Sequence, residues 1–136
     1  MLKSGLALVL FAAATPTVAD HIIALPQAEL PWTTTNEGAE FAALQGDRFA
    51  GSYMAMVRLP AGLASPPHVK TADMFGVVLE GTFVHTTNGE RGRRLGPGSY
   101  YHIPAGLPHV SACVSDATCI AFLYQDGAFD FNVVEQ

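Results

Sequence analysis

Short runs of alternating apolar and polar residues dominate the chain after Gly46-Asp47: Tyr53 to Leu59, Phe75 to Leu79, Thr82 to Thr87, Ser99 to Ile103, His109 to Val114 and Cys119 to Tyr124. Each run is rich in β-branched or aromatic residues, and Gly, Pro or Asn punctuate the gaps. No helical periodicity is sustained anywhere in this region, so the pattern predicts an all-β sandwich or barrel of about six to eight antiparallel strands. Asn88-Gly89 reads as a turn. Upstream, Ile22, Ile23 and Leu25 predict an edge strand over residues 20 to 25. Pro26 to Asn36 reads as a surface arm, broken by Pro26 and Pro31, and Glu37 to Leu44 as a short helical turn. In the tail, Phe129 and Phe131 occupy alternate positions and predict a last strand packing back over the barrel.

The first nineteen residues change the picture of the rest. Lys3, the apolar run Leu6 to Ala14 and the small residues Thr17-Val18-Ala19 form a secretory signal with cleavage before Asp20. Removing nineteen of the 136 residues leaves 117, enough for one ordinary domain. The expected organisation is a signal peptide over 1–19, an N-terminal strand and arm over 20–46, and the barrel over 47–136. A periplasmic or secreted location follows, with no membrane segment after cleavage. Loss of Lys3 moves the formal charge from −5 to −6, which argues against nucleic acid as a partner. The one basic cluster, Arg91, Arg93 and Arg94, reads as a solvated loop.

Cys113 and Cys119 flank a short polar stretch between two strand-like runs. In an oxidising compartment they suit a cross-strand disulfide worth roughly 2 kcal/mol. Two reduced structural thiols, or a metal or redox role, are the alternatives, although the five-residue spacer is not the C-x-x-C of a redox centre.

Two histidine motifs carry the chemistry. Gly62 is followed after five residues by His68. Gly98 is followed by Pro104-Ala105-Gly106 and then His109. With Gly81, these residues resemble the two motifs of the cupin superfamily over roughly Tyr53 to Tyr124. The flanks Pro66-Pro67-His68, Thr71-Ala72-Asp73 and Phe122 to Phe131 resemble a group of small secreted bacterial single-domain cupins. The resemblance implies a double-stranded β-helix, or jelly-roll barrel of the RmlC-like type. It also implies a pocket in which three histidines and a glutamate hold a divalent metal. Here Lys70 stands at the second histidine position, Met74 at the glutamate position and Cys113 at the second motif's Asn position.

Alternation places His68, Lys70 and Met74 on one inner wall. An ammonium has no lone pair and repels a cation, and a thioether is a poor partner for a hard ion. Two pockets stay open. In the first, Lys70 replaces the metal's charge, and with His68 and His109 it binds a small polar or anionic metabolite without a cofactor; His109 or His68 would be the base and Lys70 the oxyanion stabiliser. In the second, His68 and His109 hold one divalent transition metal ion, or copper with help from Met74 and His85. Dioxygenase, isomerase or lyase chemistry is what the resemblance permits there. A non-catalytic structural, copper-binding or interaction protein is a third class, and an arm covering the edge strand of a second copy would make a homodimer.

Other candidates are weighed by face. His85 shares a face with Phe83. Of the neighbours Tyr101 and His102, either can line the pocket. Asp73 could replace the lost carboxylate only through a bulge. Met54 and Met56 read as core filling and Trp32 as packing on the barrel.

Overall fold

The computed structural model describes residues 20–87 and 90–135. Residues 1–19, read as a secretory signal, and Asn88-Gly89, read as a turn, lie outside the described residues. Among the described residues there are ten strands: β1 (Trp32–Thr34), β2 (Glu40–Gln45), β3 (Tyr53–Leu59), β4 (His68–Val69), β5 (Met74–Glu80), β6 (Phe83–Thr86), β7 (Tyr100–Ile103), β8 (Val110–Cys113), β9 (Cys119–Gln125) and β10 (Asn132–Val133). The count exceeds expectation because β1, β4 and β10, of two or three residues each, pair as short ladders. Among the described residues no helix is long and apolar enough to cross a membrane.

One wall is a six-stranded antiparallel sheet in the order β1-β2-β3-β9-β5-β7. The other is assembled from the β6·β8 and β4·β10 ladders and from single bridges, His68 with His109 and Ala64 with Ala112. The period-2 alternation decides what faces the interior. On β3, Tyr53, Ala55, Val57 and Leu59 are buried; Met54 and Met56 lie on the outer face, with Met54 37 % exposed. They do not fill the core as expected. Their neighbours across the outer groove are Ile23, Leu25 and Leu30 of the arm. No strand forms over 20–25: these residues are all exposed and pair with no strand, and Ile23 and Leu25 only line one side of the groove.

The helical turn expected near Glu37 is also absent. Glu40–Gln45 is a strand whose Glu40 stands directly opposite Arg58 on β3. Both oxygens of that carboxylate accept from the guanidinium, at 2.6 and 2.8 Å, and the guanidinium lies 4.1 Å from the Trp32 ring centroid. Cross-strand pairing overrode local propensity. Trp32 packs on the barrel as expected, and the three arginines of the basic cluster are exposed in a loop.

Cys113 at the end of β8 and Cys119 at the start of β9 form the disulfide, with both residues almost fully buried. The bridge closes a small loop between the two walls and contributes about 2 kcal/mol by restricting the unfolded chain.

Candidate functional site

The space between the walls is a cavity of about 100 Å³. His68, Lys70, Met74, His85 and Tyr101 all line it, together with Thr35, Phe41, Val57, Leu59, Leu63, Phe83, Leu123, Phe129 and Phe131. His68, Lys70 and Met74 all face the cavity, but not from the single wall expected: His68 lies on β4 in the second wall, and the chain bends over residues 71–73 before β5 carries Met74 into the six-stranded sheet. Lys70 is 6 % exposed and His68 and His109 are each 3 % exposed.

The two imidazoles meet because their segments pair. His68 N–H donates to the His109 carbonyl and His109 N–H to the His68 carbonyl, each at 3.0 Å. The Pro104-Ala105-Gly106 turn sets this up, with Gly106 at φ +75°, a left-handed conformation that glycine adopts without steric cost. The ring centroids lie 4.2 Å apart.

Their tautomers follow from their partners. His68 Nδ1 lies 2.9 Å from the Pro66 carbonyl, and His109 Nδ1 lies 2.9 Å from the Leu107 carbonyl. A carbonyl can only accept, so in each ring Nδ1 carries the hydrogen and Nε2 carries the lone pair. Burial lowers both basicities. His68 falls to about 4, a shift helped by His109 and Lys70 and opposed by its bond to Pro66. His109 moves the same way. Both rings are therefore neutral at pH 7, each with an acceptor at Nε2. His109 Nε2 is buried and has no partner among the described residues.

His85 faces inward, as its spacing from Phe83 implied. Its Nδ1 lies 2.9 Å from Ser111 Oγ, its ring centroid is 4.3 Å from that of Tyr101, and burial takes it to about 4. Its Nε2 is a second buried atom without a partner, and Thr35 Oγ1 is the third. Thr35 and His85 line the cavity; His109 does not, but its ring lies tilted at 4.2 Å against that of His68, which does. Buried polar atoms are ordinarily paired, and a convergent set of unpaired ones marks a place for something else to bind.

Tyr101 is the inward member of its pair. His102 faces out, stacked on Phe75 at 4.5 Å with its Nε2 3.5 Å from Asp73. Asp73 accepts from the Ala105 N–H at 2.7 Å and fixes the Pro104-Ala105-Gly106 turn. No bulge swings it inward, which excludes it as the missing carboxylate.

Sequence reasoning missed Gly76. It faces Tyr101 across the β5·β7 ladder, and a Cβ there would sit 2.2 Å from Tyr101 Cζ and 2.3 Å from its hydroxyl oxygen. The missing side chain is what lets Tyr101 lie flat in the wall. A glycine inside an otherwise apolar strand was the available signal. Thr35, in the segment read as an arm, was missed too; nothing in its local pattern points inward.

The tail closes one side of the cavity. Phe131 stacks on His68 at 4.2 Å, Phe129 meets Phe41 edge-on at 5.5 Å, and β10 pairs with β4. Lys70 Nζ donates to the Asp130 carbonyl and sits 4.3 Å from the Phe129 ring centroid. Burial lowers Lys70 to about 8, with Asp130 and Glu37 opposing and Arg48 assisting. It is an ammonium at pH 7, and no carboxylate ion-pairs with it among the described residues.

A double-walled antiparallel barrel with histidines from two motifs on facing segments defines a cupin-type domain. Residues 20–128 match the ChrR cupin-like domain model, and the chain belongs to that family. It is 32 % identical over 94 residues to the dimethylsulfoniopropionate lyase DddQ of Ruegeria pomeroyi, covering 59 % of this chain and 47 % of the lyase, so the chain spans about half the length of that curated relative. In structure it is similar to the polyketide cyclase RemF of Streptomyces resistomycificus, with a TM-score of 0.69 at 18 % identity over 85 % of this chain and 88 % of RemF. It is also similar to a chain of the Rhodobacter sphaeroides SigE–anti-sigma ChrR complex, with a TM-score of 0.61 at 23 % identity over 74 % of this chain and 52 % of that one. These structural likenesses establish the fold alone.

Proposed function

We propose that this exported cupin binds a small organic anion in the barrel cavity and holds a transition metal ion on Nε2 of His68 and His109. One observation carries the reading: both rings are locked by backbone carbonyls into the tautomer that presents a lone pair, and one of those lone pairs is buried without a partner. A carbonyl at Nδ1 is the outer-shell arrangement that orients a ligating imidazole and raises its basicity toward a metal. The same geometry weighs against an anion resting directly on the two neutral rings, since lone pairs repel negative charge. The imidazole end and the Lys70 end therefore divide the work, the first for an electrophile and the second for an anion.

The donor set selects the kind of ion. Among the described residues no group of three or more His, Cys, Asp or Glu side chains is gathered to hold a metal. Two imidazole nitrogens, with Met74 lining the cavity that His68 also lines, suit a borderline or soft ion such as copper and offer little to Mg²⁺ or Ca²⁺. Such an ion supplies Lewis acidity. Around it, Lys70 holds the anion's charge, the Phe129–Phe131 segment excludes water, and Tyr101 places a hydroxyl in the wall.

The lyase relative acts on a carboxylate that also carries a sulfonium. Lys70 already covers the Phe129 face with its own cation, which favours for this chain an anion without an onium group. Export is supported by the disulfide, which persists in oxidising compartments.

Elemental analysis of protein isolated from its own compartment tests the metal. The expected result is about one transition metal ion per chain, lost in His68→Ala and in His109→Ala with the fold intact by circular dichroism. Metal-free wild-type protein that takes up no copper, zinc or nickel on dialysis would overturn the reading.

A further inference from the structure

We propose that the anion is a short-chain aliphatic monocarboxylate of about four to six non-hydrogen atoms, its carboxylate on Lys70 Nζ and its alkyl end against the aromatic wall. This rests on the reading of the cavity as an anion site and adds the class of anion.

Size is the first argument. A cavity of about 100 Å³ is smaller than the roughly 150 Å³ engineered void that accepts benzene, so the part of a ligand it encloses is no larger than about six non-hydrogen atoms. Charge is the second. An ammonium has three donors, and Lys70 uses one, on the Asp130 carbonyl. Two donors on a residue 6 % exposed remain for a ligand. Thr35 Oγ1, buried and without a partner on the same cavity, adds a hydroxyl able to donate to an anionic oxygen.

The charge count favours a monoanion. Among the described residues Lys70 is the one Lys or Arg lining the cavity and Glu37, exposed to solvent, the one carboxylate, so a phosphate or dicarboxylate would bring two further negative charges to an apolar site with a single cation. Phe83, Leu59 and Leu123 offer dispersion contacts to methylenes.

The test is calorimetric titration of the purified protein, run both metal-free and metal-loaded, with acetate, propionate, butyrate, octanoate, propionamide and inorganic phosphate. Propionate and butyrate should bind at least tenfold more tightly than propionamide, octanoate or phosphate. Lys70→Met should abolish the preference for propionate over its amide, and Lys70→Arg, which keeps a charge, should retain part of it; the second variant serves if the first does not fold. Equal binding of propionate and propionamide, tighter binding of octanoate or phosphate, or an unchanged preference in Lys70→Met would overturn the proposal. The two forms separate it from the metal reading. Propionate binding by protein that takes up no metal sinks only the ion, and metal uptake without propionate binding sinks only the carboxylate.

Discussion

Acidifying the metal-free protein from pH 7 to pH 4 is expected to unfold it. His68 and His85 each fall from an ordinary 6.5 to about 4 in the native state, burial being the main cause in both. Above pH 6.5 both rings are neutral whether the chain is folded or not, and their contribution to stability is complete. Between 6.5 and 4 the unfolded chain binds protons that the native chain refuses, so stability drops as pH falls. Below 4 the native rings protonate as well and the loss levels off. A shift of that size corresponds to about 3 kcal/mol for each ring, and His109 shifts in the same direction. Against a typical domain stability of about 5 to 15 kcal/mol, the combined loss is decisive. Urea denaturation at a series of pH values measures it. His85→Asn should flatten the slope between pH 6.5 and 4 by about one proton, and a slope that His85→Asn leaves unchanged would show that this ring is not buried neutral.

Gly76→Ala should cost about 1 to 3 kcal/mol, the usual range for overpacking a dense core. A new Cβ 2.2 Å from Tyr101 Cζ cannot be accommodated without moving that ring, and the ring is 7 % exposed and packed on His85. The ring would leave the wall and carry its hydroxyl with it. A double-mutant cycle isolates the cause: in a Tyr101→Ala background the same alanine should cost far less. If the two costs simply add, Gly76 does not position Tyr101.

Period-2 alternation is a local property, so it was readable. It placed Phe83 and His85 on one inward face and the tail aromatics over the barrel; His68, Lys70 and Met74 reach the same cavity from two walls across a bend at residues 71–73, which alternation does not reveal. The cysteine pair was legible for the same reason, since two strands joined by a short polar stretch bring their ends together. Distinguishing Tyr101 from His102 was not, because the residues are adjacent and both are amphipathic; the β5·β7 register settles it by setting Tyr101 opposite Gly76. Glu40–Gln45 was misread because its strand character comes from pairing with β3 and from the Glu40–Arg58 contact, neither of which is local. Met54 and Met56 were assigned to the core from their alternation, but alternation does not say which side of a sheet is the inside. The tautomers of His68 and His109 depend on carbonyls at Pro66 and Leu107, two residues upstream of each ring, and only the turn geometry shows that these carbonyls reach Nδ1.

Nitrogen coupling in the electron paramagnetic resonance spectrum of the protein loaded with one equivalent of Cu²⁺ bears most directly on the paired imidazoles. Two coordinated imidazole nitrogens are expected in the wild type and no more than one in His109→Ala. A copper signal without nitrogen coupling, or one that His109→Ala leaves unaltered, would contradict the account.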